Sequence, residues 1–105
     1  MPRAATNSDV FNAIAEPNRR AILDFLAHEE RPVGAIVLAL GLPQPSVSKH
    51  LRVLRDVRLV VERRHGRHVL YRTNMDAIRP LHEWTSRFEQ MWRHQLAAIK
   101  ERAEP

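Results

Sequence analysis

Apolar residues recur every three or four positions through the first half of the chain, which is the spacing of one face of an α-helix. The pattern predicts a helix over residues 8–15 with Ser8 as its N-cap, and a second helix that begins at Pro17. Two more helices follow over about 33–40 and 45–56, and Gly41 ends the first of them because glycine tolerates left-handed backbone. The positions predicted to face inward are Val10, Phe11, Ile14, Ile22, Leu23, Leu26, Ile36, Val37, Leu40, Val47, Leu51 and Leu54.

The period changes near residue 59. Residues 60–64 and 68–72 are rich in β-branched and aromatic side chains and predict two strands, joined by a hairpin turn at His65-Gly66-Arg67. Helical spacing then returns. We expect a mainly α fold with a small β-hairpin, in a single domain over 1–105: a winged helix-turn-helix whose helix-turn-helix spans about 33–56, its wing about 59–73 and its long C-terminal dimerisation helix about 75–102.

The charge of the chain is concentrated in one segment. The 105 residues carry a net charge of +5 and no cysteine, which excludes disulfides, thiolate metal sites and cysteine nucleophiles. Residues 49–72 hold eight Lys and Arg against two Asp and Glu, a sum of +6, so the remainder carries −1. A cationic segment on a recognisable architecture indicates a polyanionic partner. The chain shows no signal-peptide pattern and no long apolar run, so we expect a cytoplasmic protein with no membrane partner.

Polar side chains of the fourth predicted helix and of the wing are the candidates for binding double-stranded DNA. A recognition helix presents its N-terminal side chains to base edges in the major groove, and a cationic hairpin suits the minor groove or the phosphates. The hydroxyls of Ser46 and Ser48 could equally bind phosphate. The predicted DNA-binding residues are Gln44, Ser46, Ser48, Lys49, His50 and Arg52 on the helix, with Arg63, Arg64, His65, Arg67 and His68 on the wing.

The last predicted helix carries a wide apolar stripe that needs a partner, and a second copy of the chain supplies one. Its predicted interface residues are Leu81, Trp84, Phe88, Met91, Trp92 and Leu96. The aromatic members could alternatively line a ligand pocket, although at helical spacing they are more often core or interface.

Three blocks of sequence in order resemble the ArsR family of bacterial winged-helix regulators, over about residues 8–102. They are AIAEPNRRAIL at 13–23, LGLPQPSVSKHL at 40–51, and Leu59-Val60 followed by RRHGR at 63–67 and Tyr71. The resemblance implies a homodimer that acts at a palindromic operator, usually as a repressor released by a signal. A transcriptional activator remains an alternative. Neither a Gly-rich phosphate loop nor clustered catalytic acids are present, so no enzyme is indicated.

Many members of that family sense metals, and this sequence departs from both of their common site patterns. The segment VGAIVLAL at 33–40 contains no metal ligand. On the last helix, alignment on Asp76 places Ile78, Glu89 and Trp92 at the other three ligand positions, so two of the four are apolar. No metal site is therefore carried over. The segment WxxxFExxW over 84–92 is similar to a subgroup that does not bind metal.

A metal-responsive regulator remains the alternative for the switch. It would bind nickel or zinc through His82 or His94 together with a partner's carboxylate, such as Glu83 or Glu89. Solvated surface histidines are the simpler interpretation. An unknown effector or partner protein would serve the same purpose.

Overall fold

The computed structural model describes residues 6–103. Five helices and one antiparallel hairpin follow each other along the chain. They are α1 (Asn7–Ile14), α2 (Pro17–Phe25), α3 (Val33–Leu40), α4 (Gln44–Asp56), β1 (Val60–His65), β2 (His68–Thr73) and α5 (Met75–Ala103). The predicted winged helix-turn-helix and its long last helix are confirmed. Within residues 6–103, no helix is both long and apolar enough to cross a bilayer.

The first two helices begin and end through local side-chain contacts. Thr6, rather than the predicted Ser8, is the N-cap of α1, and it forms a capping box with Asp9. Pro17 occupies the first turn of α2, as predicted, and Glu16 caps that helix by accepting from the Arg19 N–H at 2.9 Å. The guanidinium groups of Arg19 and Arg20 donate to carbonyls at the end of α1. The block AIAEPNRR therefore encodes a helix–helix corner.

The turn between α3 and α4 depends on Gly41. Its φ of 66° lies in the left-handed region, and its N–H donates to the Val37 carbonyl. Three apolar side chains of α4 then lie in the core, fully or almost fully buried: Val47, Leu51 and Leu54. They share the core with Ile22 and Leu26 of the α2 region and with Ile36 of α3. Burial of one apolar stripe on each helix fixes the face that α4 leaves to solvent.

The hairpin is anchored to the helices through β2. The buried Thr73 hydroxyl donates to the Leu23 carbonyl at 2.8 Å, and its N–H donates to the Leu26 carbonyl at 3.1 Å. Arg31, in the segment between α2 and α3, exchanges two backbone hydrogen bonds with Tyr71. This short bridge extends the sheet by one position, which the sequence pattern did not predict.

Helix α5 leaves most of its apolar stripe uncovered. Ile78 and Leu81 pack against the core, whereas the large apolar side chains from Trp84 to Ile99 are 36% to 66% exposed. Its 29 residues extend the molecule to 62 Å along one axis, against 33 and 22 Å along the others. The aromatic rings form a continuous row, with Phe11 of α1 edge-on to Trp84, Trp84 edge-on to Phe88, and Phe88 stacked on Trp92.

Candidate nucleic-acid interface

One face of α4 is exposed along the length of the helix. Ser48, Lys49 and Arg52 are exposed there, opposite the buried stripe, and Gln44 is exposed at the first position of the helix. Pro45 in the first turn supplies the fixed φ that a helix start needs. This face and the exposed start of the helix therefore bring together four of the six predicted residues of α4, and we call them the recognition stripe (Gln44, Ser48, Lys49 and Arg52).

The other two predicted residues of α4 lie beside the recognition stripe rather than on it. Ser46 is half-buried, and the His50 side chain is only 18% exposed. The His50 Nδ1 atom lies 3.8 Å from the Glu16 carboxylate at the start of α2. Burial raises the pKa of Glu16, but backbone N–H groups of Asn18 and Arg19 and the charges of His50 and Arg19 outweigh it and hold that pKa below its ordinary value. His50 thus faces an acid of its own fold.

The wing ends in a two-residue turn. His65 and His68 are paired across the strands, and Gly66 between them has a φ of 62°. A positive φ at the first central position, with none at Arg67, is the type II′ pattern that suits the twist of a hairpin. The structure therefore places Arg67, His65 and His68 together at the exposed tip.

The two adjacent arginines of β1 point to opposite faces of the hairpin, because successive side chains in a strand alternate. Val60, Glu62 and Arg64 form the core-side face, which includes the buried Val60. Glu62 on this face reaches Arg55 of α4 at 3.0 Å, so Arg64 lies on the side of the hairpin that faces α4. Arg63 lies on the outer face.

Arg63 is already bonded to an acid. Its Nε and Nη2 atoms donate to the two oxygens of Glu30 at 2.7 and 2.8 Å. The hydrogen bond from Arg63 holds the pKa of Glu30 below its ordinary value, despite some burial of the carboxyl, and raises the pKa of Arg63. Within residues 6–103, Arg64 and Arg67 form no ion pair. The cationic charge available to a ligand is therefore that of Arg64 and Arg67 more than that of Arg63.

Sequence reasoning did not predict that three acids pair with residues of this basic region. Glu16, Glu30 and Glu62 contact His50, Arg63 and Arg55 respectively. Only Glu62 falls inside the basic segment 49–72, and Glu30 lies 33 residues before its partner. No signal in the pattern of one sequence links such distant positions, because the fold alone brings them together.

The residues considered for metal binding are dispersed. Among residues 6–103, no three or more His, Asp and Glu side chains lie close enough to hold one metal ion. Asp76 and Glu89 are paired with Arg79 and Arg93 on α5.

The predicted interface residues of α5 differ in their exposure. Leu81 packs against the core of its own chain, while the others are exposed: Trp84, Phe88, Met91, Trp92 and Leu96.

A helix-turn-helix with an exposed polar stripe, followed by a basic hairpin, defines the class of winged helix-turn-helix proteins. The pattern described as "Bacterial regulatory protein, arsR family" matches residues 16–61. Transcriptional repressor SdpR of Bacillus subtilis (strain 168) is 31% identical over 81 residues, which are 77% of this chain and 90% of SdpR. Nodulation protein NolR of Rhizobium meliloti is 42% identical over 67 residues, which are 64% of this chain but only 55% of NolR.

Solved structures agree with these sequence matches. An ArsR-like transcriptional regulator from Rhodococcus sp. RHA1 superposes with a TM-score of 0.70 at 28% identity, over 93% of this chain and 92% of that one. A homodimeric winged helix-turn-helix DNA-binding domain from Mycobacterium bovis, solved by NMR, has a TM-score of 0.64 at 31% identity, over 92% of this chain and 81% of that one. The chain belongs to the ArsR family of bacterial regulatory proteins, and it is a transcriptional regulator. The predicted family is confirmed.

Proposed function

We propose that this regulator is a cytoplasmic homodimeric repressor that binds a palindromic operator in double-stranded DNA. The observation that carries the proposal is the recognition stripe, an exposed polar surface of α4 flanked by a hairpin whose core-side face carries Arg64, which has no ion pair within residues 6–103. SdpR is named a transcriptional repressor, and the related Mycobacterium bovis domain is described as a DNA-binding homodimer. Both descriptions support the same activity here.

The recognition stripe suits the major groove. The amide of Gln44 has the donor and acceptor that pair with adenine, and Lys49 and Arg52 can donate to guanine or to phosphate. Ser46 and Ser48 lie close to the start of the helix, where hydroxyls and free N–H groups favour phosphate oxygens. In this proposal α4 reads bases with Gln44 and Lys49, and its first turn fixes the register on the backbone.

The wing suits the neighbouring phosphates and minor groove. Arg64 and Arg67 supply the cationic contacts, and His65 and His68 flank them at the tip. Arginine in a narrow minor groove responds to groove width and potential more than to sequence. The wing thus contributes affinity for all DNA, while the recognition stripe contributes the preference among sequences.

Dimerisation would use the exposed part of α5. Trp84, Phe88, Met91, Trp92 and Leu96 present a large apolar surface, and self-pairing of one surface generates a two-fold dimer. Full burial of one such side chain is worth about 1.5–3 kcal/mol, so a few of them suffice to hold two copies together. The division that we propose is a helix-turn-helix over 33–56, a wing over 59–73 and a dimerisation helix over 75–102 in one domain.

In vitro selection of duplex DNA from a random-sequence library tests the proposal. We expect the selected sites to be inverted repeats whose half-sites lie about one helical turn apart, since a two-fold dimer carries two copies of α4. Fluorescence anisotropy should then give much tighter binding to the selected duplex than to one of scrambled sequence. Equal affinity for both duplexes would rule out a sequence-specific regulator.

The sign of regulation needs a second measurement. With the selected site placed over the start of a reporter promoter, we expect expression of the protein to lower transcription. A rise in reporter output with the wild-type protein would identify an activator instead.

Replacement of Gln44 or Lys49 by alanine should reduce the preference for the selected site by about 1–3 kcal/mol if either side chain reads a base.

A further inference from the structure

Two nitrogen atoms of α4 are buried without a hydrogen-bond partner, and both belong to side chains beside the recognition stripe. They are His50 Nδ1 and Arg55 Nε. The two residues are five positions apart, which places them about 140° apart around the helix. They therefore flank the buried stripe on its two sides, and neither lies among the exposed residues that would meet DNA.

Each of these side chains faces a carboxylate from a different neighbouring element. His50 Nδ1 lies 3.8 Å from Glu16, and Arg55 Nη1 lies 3.0 Å from Glu62. Glu16 is itself held in place because it caps α2 through the Arg19 N–H. Glu62 is two positions beyond the buried Val60 on the core-side face of β1. One flank of α4 is thus connected to α2, and the other flank is connected to the wing.

Affinity for DNA gives no reason for acids in these places. A carboxylate beside a surface that binds phosphates weakens the binding, because like charges repel. The apolar contacts of Val47, Leu51 and Leu54 fix which face of α4 is buried, but such contacts are non-directional and tolerate small rotations of the helix about its own axis. On the wing side, the hydrogen bond from Arg55 Nη1 to Glu62 restricts that rotation because it depends on geometry. On the α2 side, the largely buried His50 packs 3.8 Å from the Glu16 carboxylate, which limits rotation through close contact and not through a hydrogen bond.

We propose that Glu16 and Glu62 set the rotation of the recognition helix through His50 and Arg55, and that these four residues are positioning residues for sequence discrimination. The proposal rests on the proposed function. It assigns His50 to the inside of the fold, in place of the direct DNA contact that its sequence position suggested. A helix that rotates by a few degrees moves the ends of Gln44 and Lys49 relative to base edges, while the phosphate contacts of the wing are retained.

Glu16→Gln and Glu62→Gln test the proposal, with Glu30→Gln as the matched control. The amide at position 16 still accepts the Arg19 N–H and so keeps the cap of α2. Glu30 is an acid of the same basic region, but its partner is Arg63 of the wing and not a residue of α4. Each variant removes one negative charge. Anisotropy then measures affinity for the duplex selected by the wild-type protein and for a scrambled duplex of the same length.

We expect Glu16→Gln and Glu62→Gln to reduce the ratio of the two affinities about 10-fold, the size of one mismatched base pair. Their affinity for the scrambled duplex should stay constant or rise. Glu30→Gln should leave the ratio unchanged. The proposal is overturned if both affinities rise together in all three variants, because the acids would then be only part of the electrostatic background.

A double-mutant cycle separates positioning from general stability. If His50 acts through Glu16, His50→Ala should lower the discrimination ratio as much as Glu16→Gln, and the double variant should be no worse than either. The slope of log affinity against log salt should be unchanged in His50→Ala. A variant with a lowered Tm and an unchanged ratio would show a merely structural role and would refute the proposal.

If Glu16→Gln does not fold, His50→Gln and Glu62→Gln give the same readout. A wild-type protein without any preference would instead refute the proposed function.

Discussion

Arg63 and Arg64 are adjacent in the sequence, yet the structure predicts opposite effects on DNA binding. Arg64 lies on the side of the hairpin that faces α4 and forms no ion pair within residues 6–103, whereas Arg63 forms two hydrogen bonds with Glu30 on the outer face. We expect Arg64→Ala to remove a phosphate contact and Arg63→Ala to remove none. Both changes reduce the net charge by one, so the long-range field is matched between the two variants.

The size of the effect follows from counterion release. Each phosphate contact with B-DNA contributes about 0.9 to the slope of log affinity against log salt. A homodimer places two copies of Arg64 on the operator, so Arg64→Ala should reduce the slope by about 1.8. Between 50 and 200 mM salt, the affinity deficit of the variant relative to wild type should therefore shrink about 12-fold. Arg63→Ala should leave the slope within about half a unit of the wild-type value.

Fluorescence anisotropy titrations at four or five salt concentrations measure these slopes, with the selected duplex and with the scrambled one. Because a phosphate contact is independent of sequence, the Arg64→Ala change should be similar on both duplexes. Equal slopes for the two variants would contradict the assignment of faces. A larger loss in Arg63→Ala would show that Glu30 releases Arg63 on binding and that the pair seen in the free protein does not persist.

Three further predictions concern stability and assembly. Gly41→Ala should destabilise the protein by about 1 kcal/mol because residue 41 has a left-handed φ. Gly34→Ala lies in helical backbone with equal space for a methyl group and should stabilise the protein by up to about 1 kcal/mol. Urea unfolding at fixed protein concentration measures both changes in stability, and changes of the same sign would contradict the reasoning. Thr73→Val should cost about 1–2 kcal/mol in the same assay, because a carbonyl in the last turn of α2 loses its buried donor, and an unchanged midpoint would refute this. Trp92→Glu should convert a dimer to a monomer in analytical ultracentrifugation. Gln90→Glu, about 160° away around the same helix, should leave the dimer intact. Dissociation of the dimer in both variants would argue against the aromatic face as the interface.

Much of this fold could be predicted from periodicity and turn chemistry. The bounds of α3 agree with the prediction, α2 begins at the predicted Pro17, and α4 and α5 each differ from the prediction by one residue at one end. Each helix carries an apolar stripe, Pro17 and Pro45 mark the starts of α2 and α4, and Gly41 marks the end of α3. Gly41 identified the helix-turn-helix since only glycine adopts the required conformation at low cost. The N-cap of α1 was wrong by two residues, because Thr6 and Ser8 are both good caps and only Thr6 has Asp9 three positions later.

The candidate DNA-binding site likewise has a part that the sequence predicted and a part that only the structure showed. Sequence placed the basic residues, the recognition helix and the wing, since each depends on neighbours within a few positions. The structure alone separated Gln44, Ser48, Lys49 and Arg52 from the half-buried Ser46 and His50. It also showed that Arg63 is bonded to Glu30 while Arg64 is not. These distinctions depend on contacts between residues far apart in the chain, and the packing of α2, α4 and the hairpin around a shared core sets the distances between them.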